Sequence, residues 1–243
     1  MTLLRIDSSW LGLGGVFGGK IIAETIRVAG AHPEVADLSV ASAYVSFLGT
    51  VTPGEVDFAT RVTHRGRRTA TVDVAVVQGR DLATGRVKLA VAGAEDLCGP
   101  ARLKAFPGPE DVEPYVAPYG ALAHDEHLEV RPFSTVPDEG VPSVRAWVRA
   151  RVGAGLGVGT AAALLDIVPP SLFFSGHPPT FVPTIDFHLH RQPRDEDLEG
   201  QWLLAEARTE WADGALCAET TTLHRPDGTF LARGTQTRRI VRD

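Results

Sequence analysis

One grammar of elements occurs twice in this chain, and that repetition limits the folds open to it. The segment "GGVFGGKIIAETIRVAG" (Gly14 to Gly30) places Ile22, Ile26 and Ala29 at helical spacing and ends in glycine, a common helix stop. Four runs rich in β-branched residues follow: "LSVASAYVSFL", "GEVDFATRVTHRG", "RTATVDVAVVQG" and "GRVKLAVAGA". Later, "HLEVRPF" and "SVRAWVRARV" lead into the helical "GTAAALLDIV", stopped by Pro169 and Pro170. Four strand-like runs again follow: "TIDFHLHR", "QWLLAEARTEWA", "ALCAETTTLHR" and "GTFLARGTQTRRIV". Glu24 and Asp166 stand 142 apart, as do Ser42 and Thr184, and the hairpin glycines Gly85 and Gly228 stand 143 apart. Such an offset predicts a duplicated α+β unit, a helix buried against one face of an antiparallel sheet. It also predicts Glu24 near the pseudo-symmetric position of Asp166.

The units are expected at 1–97 and 123–243, joined by a linker at 98–122. The stretch "CGPARLKAFPGPEDVEPYVAPYG" (Cys98 to Gly120) carries five prolines and no clear periodicity. At 243 residues the chain is long enough to bury a sizeable core. A net charge of -6 argues against nucleic acid as a partner, and the short basic cluster "RGRR" (Arg65 to Arg68) does not reverse this. The two cysteines, Cys98 and Cys217, fit neither a disulfide framework nor a zinc site, which suits a reducing cytoplasm. "MTLLRIDSSWLGLGG" lacks the pattern of a secretory leader, and no run of eighteen or more uniformly apolar residues occurs. A cytoplasmic protein without a membrane partner is expected.

The stretch "PTIDFHLHR" (Pro183 to Arg191) concentrates chemistry. Alternation puts Ile185, Phe187 and Leu189 on a core face and Thr184, Asp186, His188 and His190 on the other. His188 and His190 can chelate a metal with Asp186, but no further ligand pattern supports this and no metal is expected. Exposed histidines on a strand more often meet solvent or a subunit interface.

In their order and spacing, "GGVFGG", "RVTHRGRRTATVDVAVVQ", "VRAWVRARV...LLDIVPP" and "DGTFLARGTQ" resemble the double-hotdog acyl-CoA thioesterases related to thioesterase II. The resemblance covers nearly the whole chain. It implies two hotdog units, each a helix wrapped by an antiparallel sheet, joined into one continuous sheet. It further implies an acyl-CoA or acyl-carrier thioester substrate, no cofactor, and a homo-oligomer acting in lipid metabolism. The family's site uses an aspartate on the second helix, a threonine opening the next strand and a glutamine on the last strand. Asp166 in "ALLDIVPP", Thr184 in "TIDFHLH" and Gln236 in "ARGTQTRR" stand at these places.

Thioester hydrolysis needs a water near the carbonyl carbon, an acceptor for its proton, and donors where the oxyanion develops. Asp166, flanked by Ala163, Leu164, Leu165, Ile167 and Val168, is expected to be buried and able to accept that proton. Thr184 and Gln236 can hold and orient the water, and backbone N–H groups at a glycine-rich helix start can serve as oxyanion donors. Opposite Gln236 the offset places Gly93, so the first unit is expected to lack a site of its own. The alternative is a hotdog protein that binds or transforms an acyl thioester or polyketide-like ligand without hydrolysis. Its hydratase or dehydratase form requires an Asp/His loop pattern that this sequence lacks.

Overall fold

The computed structural model describes residues 1–94, 98–99, 106–117, 120–135, 141–194 and 196–242. The first unit comprises β1 (Thr2–Ile6), α1 (Gly18–Gly30), β2 (Ser39–Phe47), β3 (Gly54–Arg65), β4 (Thr69–Val77) and β5 (Asp81–Ala90). The second comprises β6 (Leu128–Ser134), β7 (Ser143–Ala150), α2 (Thr160–Asp166), β8 (Thr184–Arg191), β9 (Leu203–Ala212), β10 (Leu216–His224) and β11 (Phe230–Arg239). All strands join one antiparallel sheet in the order β1-β3-β4-β5-β2-β8-β11-β10-β9-β7-β6. The units meet edge to edge where β2 pairs with β8, which leaves neither inner edge open. This is the expected α+β architecture of two helix-and-sheet units in one continuous sheet.

Period-two burial sets the inner face. Along β10 every second residue is buried, with Cys217, Glu219, Thr221 and Leu223 pointing inward. The inner faces of both halves curl around α1 and α2, and α1 is buried on nearly every side from Gly19 to Ile26. The strand β1 was not among the expected runs. It is a short edge strand whose partner β3 lies about fifty residues on, so no hairpin signal announces it. The run Gly157–Phe174, which holds α2, is long and apolar enough by composition to cross a membrane, but 61% of it is buried inside the fold.

The helices touch through small residues, and the contact is reciprocal. A Cβ on Gly159 would lie 2.5 Å from Ala23 Cα, and one on Gly19 would lie 3.1 Å from Ala163 Cα. Gly19 is therefore the structural counterpart of Gly159, and Ala23 of Ala163, an offset of 140. The sheet continues the correspondence. Gly85 lies under Thr25 and pairs with Val45, whereas Gly234 lies under Leu165 and pairs with Leu189. The offset thus grows to 144 between β2 and β8 and to 149 between β5 and β11, because the intervening loops differ in length.

Duplication is upheld, but the uniform offset is not. The counterpart of Asp166 is Ile26, not Glu24, and that of Gln236 is Val87, not Gly93. Thr184 corresponds to Val40 rather than Ser42, since Thr184 pairs with Arg238 as Val40 pairs with Leu89. Glu24 is instead a satisfied ion-pair residue, with Oε1 2.7 Å from Lys20 Nζ and Oε2 2.6 Å from Arg27 Nε.

The helix contact leaves no room for a methyl group at position 159. Gly159→Ala is expected to destabilise by about 1–3 kcal/mol through overpacking. Gly176→Ala, at an exposed position with no atom within 4 Å of the added carbon, should change stability little. Urea unfolding midpoints of the two variants decide the comparison.

Candidate active site

The helix contact carries the start of α1 to the end of α2. Phe17, which precedes α1, supplies no side-chain cap. The Gly19 N–H instead donates to the carboxylate of Asp166, the last residue of α2. Asp166 from the second unit therefore caps the first unit's helix, where a negative charge is favoured. A Cβ on Gly18 would stand 3.1 Å from Asp166 Oδ2, so the glycines of "VFGG" admit this approach.

Two further side chains reach the same carboxylate. Gln236 Nε2 donates to Asp166 Oδ1 at 2.6 Å, and Thr184 Oγ1 donates to the same oxygen at a longer 3.4 Å. The structure therefore brings Asp166, Thr184 and Gln236 together from α2, β8 and β11. Thr184 arrives there through a β-bulge. Thr237 pairs with Asp186 while Arg238 pairs with Thr184, leaving Ile185 as the extra residue. Simple alternation would send Thr184 outward with His188 and His190, and the bulge returns it to the inner face. His188 and His190 do face outward, with ring centroids 4.2 Å apart, and His188 meets Tyr44 edge-on across the seam between the units.

Burial pushes the Asp166 carboxyl above the usual carboxylate range. The Arg238 charge pulls it back down, as do the bonds from Gln236, the Gly19 N–H and Thr184. Gln236 is only 3% exposed, and with Nε2 committed to the carboxylate its Oε1 is buried without a protein partner.

Asp166 and Thr184 line a cavity of about 550 Å³. Its walls are largely apolar: Val16, Phe17, Ile21, Phe47 and Val51 from the first unit, and Leu128, Ile167, Phe173 and Phe181 from the second. That volume is within the ordinary range for a small-molecule site.

Sequence reasoning missed the charged and titratable residues around this cavity, which include Asp125, Glu129 and Arg151 in its wall. His124 is buried in its wall, stacked on Phe17 at 4.6 Å, with Nδ1 donating to the Leu11 carbonyl at 3.1 Å. Burial lowers its pKa, favouring the neutral ring. Arg238 lines the cavity, and its Nε lies 3.0 Å from Glu219 Oε2. Glu219 Oε1 in turn accepts from the Ser171 N–H at 2.7 Å and from Ser171 Oγ at 2.8 Å. His124 lay hidden beside a proline-rich connection, and the Arg238–Glu219 pair becomes visible only once β10 and β11 are in register.

Two family models cover the chain: an acyl-CoA thioesterase N-terminal domain over residues 6–93 and an acyl-CoA thioesterase C-terminal domain over residues 100–240. The chain belongs to the acyl-CoA thioesterase family. No match was found among curated proteins. Solved structures share the fold of this thioesterase-family chain. A hot-dog-fold protein of unknown function from Alicyclobacillus acidocaldarius has a TM-score of 0.84 at 21% identity, covering 99% of this chain and 93% of that one. A putative thioesterase II from Thermobifida fusca has a TM-score of 0.82 at 20% identity, covering 99% and 92%. A tesB protein from Mycobacterium avium subs paratuberculosis has a TM-score of 0.75 at 20% identity, covering 98% and 95%. The fold of the family member described here is thus a double hotdog.

Glu219→Ala would strand the buried Arg238 charge and is expected to destabilise by about 3–5 kcal/mol. The exposed Glu55→Ala should have little effect. Thermal or urea unfolding of both variants measures the difference.

Proposed function

We propose that this protein hydrolyses an acyl-CoA thioester by general-base activation of water, with Asp166 as the base. The observation that carries the proposal is the convergence of Gln236 Nε2 and Thr184 Oγ1 on Asp166 Oδ1, beside a largely apolar cavity, in a chain of the acyl-CoA thioesterase family.

The acyl chain lies in the apolar cavity and brings its thioester carbonyl to the carboxylate. Asp166 takes a proton from a water as the water's oxygen attacks the carbonyl carbon. The resulting tetrahedral oxyanion collapses and expels the CoA thiolate. Gln236 and Thr184 fix the carboxylate's orientation, and Gln236 Oε1, buried without a protein partner, supplies an acceptor for the water. The positive end of α1, already turned toward Asp166, favours the negative charge that develops beside it. A carboxyl raised by burial is also a stronger base near neutral pH than an ordinary aspartate.

The first unit supplies cavity wall and the start of α1 rather than a second centre. Its residues at the places of Asp166, Thr184 and Gln236 are Ile26, Val40 and Val87, all buried and none able to accept a proton.

A panel of acyl-CoAs with free-thiol detection tests the reaction. Thiol release is expected from the wild type, and binding without release would overturn the proposal. Asp166→Asn should lower kcat/KM by about a hundredfold or more, with a smaller effect on substrate binding. Thr184→Ala and Gln236→Ala should each cost less and combine non-additively, as members of one unit do.

The acid limb of kcat/KM should lie above the ordinary aspartate range. The active form is the carboxylate, so activity is present above the raised Asp166 pKa and is lost as pH falls through it. A pH–rate profile running flat down to the usual aspartate value would contradict this assignment.

A further inference from the structure

Arg238, in the cavity wall, belongs to a buried ion pair with Glu219 that the double hotdog does not need. Arg238 is 4% exposed and Glu219 is 2% exposed, and both point into the helix-covered face of the sheet. Their counterparts in the first unit are Leu89 and Val72. Arg238 pairs with Thr184 as Leu89 pairs with Val40, and Glu219 pairs with Gln236 as Val72 pairs with Val87. Leu89 and Val72 are fully buried, so the same architecture packs well with aliphatic side chains at these positions. Burying two opposite charges is costly unless they are well bonded. These are not fully bonded: Arg238 Nη2 and Nε and Glu219 Oε2 lack properly aligned hydrogen bonds. An imperfectly bonded charged pair thus stands in the unit that holds Asp166 where the other unit has an apolar one.

We infer that Arg238, seated by Glu219, is a positioning residue for the reaction, which sets a buried positive charge in the cavity that holds the Asp166 carboxyl. The inference rests on Asp166 being the base. Arg238 lies two residues beyond Gln236 on the inner face of β11, in register with Thr184, and lines the same cavity as Asp166. Glu219 holds the guanidinium from β10, and Ser171 bonds Glu219 from the turn that follows α2. The Arg238 charge is the largest of the influences opposing burial at Asp166.

The other groups around Asp166 do not supply this charge. From α1 come the Gly19 N–H and Lys20, and Lys20 is committed to Glu24 at 2.7 Å. From β8 comes the neutral Thr184, and from the cavity wall come His124, which burial keeps toward its neutral form, the carboxylates Asp125 and Glu129, and Arg151, which is committed to Glu129 at 3.3 Å. The inward residues of β7 are Val144, Ala146, Val148 and Ala150, which do not titrate. Arg191, on the inner face of β8, bonds the Val158 carbonyl just before α2, at the opposite end of that helix from Asp166.

The test reads Asp166 directly. Protein labelled with 13C at aspartate carboxyls is titrated by NMR, and the signal absent from Asp166→Asn reports Asp166. The variant Glu219→Val/Arg238→Leu installs the pair that the first unit already packs, so it keeps the experiment decisive if Arg238→Met alone fails to fold. Removing the charge should raise the Asp166 midpoint by about one pH unit or more. Arg238→Lys, which keeps the charge, should stay nearer the wild type than the double variant. An unmoved midpoint in the double variant would overturn the inference whatever the enzyme's activity. The acid limb of kcat/KM should rise with the midpoint, lowering activity about tenfold one pH unit below the wild-type limb. A midpoint that moves while the limb stays would uphold the effect of Arg238 and defeat the role of Asp166 as base.

Discussion

The structure depends on one close contact, the crossing of α1 and α2 through Gly19, Ala23, Gly159 and Ala163. Small side chains let the two backbones meet, and the approach of the end of α2 to the start of α1 follows from that distance. Gly159 meets Ala23 at one end of this contact, and at the other end Gly19 meets Ala163 and its N–H reaches Asp166. The helix that lacks a cap of its own and the carboxylate that lies at the far end of the other helix satisfy each other. The same contact thus settles a packing problem, a capping problem and the placement of a titratable group.

Much of the fold could be read from periodicity. Strands such as β10 alternate so regularly that their inner face is legible without a structure, and the glycine and proline stops mark both helices. The single offset failed because it assumed equal loops. It paired Glu24 with Asp166, whereas packing of the helices and sheet pairs Ile26 with Asp166. The error has a physical source: a few residues of loop change the count between elements without changing how they pack.

The candidate site is partly legible for a different reason. Asp166, Thr184 and Gln236 were found through family resemblance, and their convergence on one carboxylate oxygen is a matter of geometry. Alternation alone would have placed Thr184 on the wrong face, because nothing in "PTIDF" announces the bulge at Ile185. Glu219 and Arg238 each read as an ordinary polar strand residue until adjacent strands are laid side by side. Their burial and their pairing are long-range properties, and no local pattern encodes them.

The comparison of the two units bears on stoichiometry. A pair of identical hotdogs related by a two-fold axis would offer two equivalent carboxylate positions, each capping the opposite helix. In this chain the cap is used once, since the start of α1 meets Asp166 while the position matching Asp166 holds Ile26. Each unit contributes what the other lacks, the helix start from one and the carboxylate from the other. A separated first half would carry an uncapped helix, and a separated second half would keep the Gln236 and Thr184 bonds to Asp166 but lose the Gly19 N–H, so the cap exists only in the fused pair.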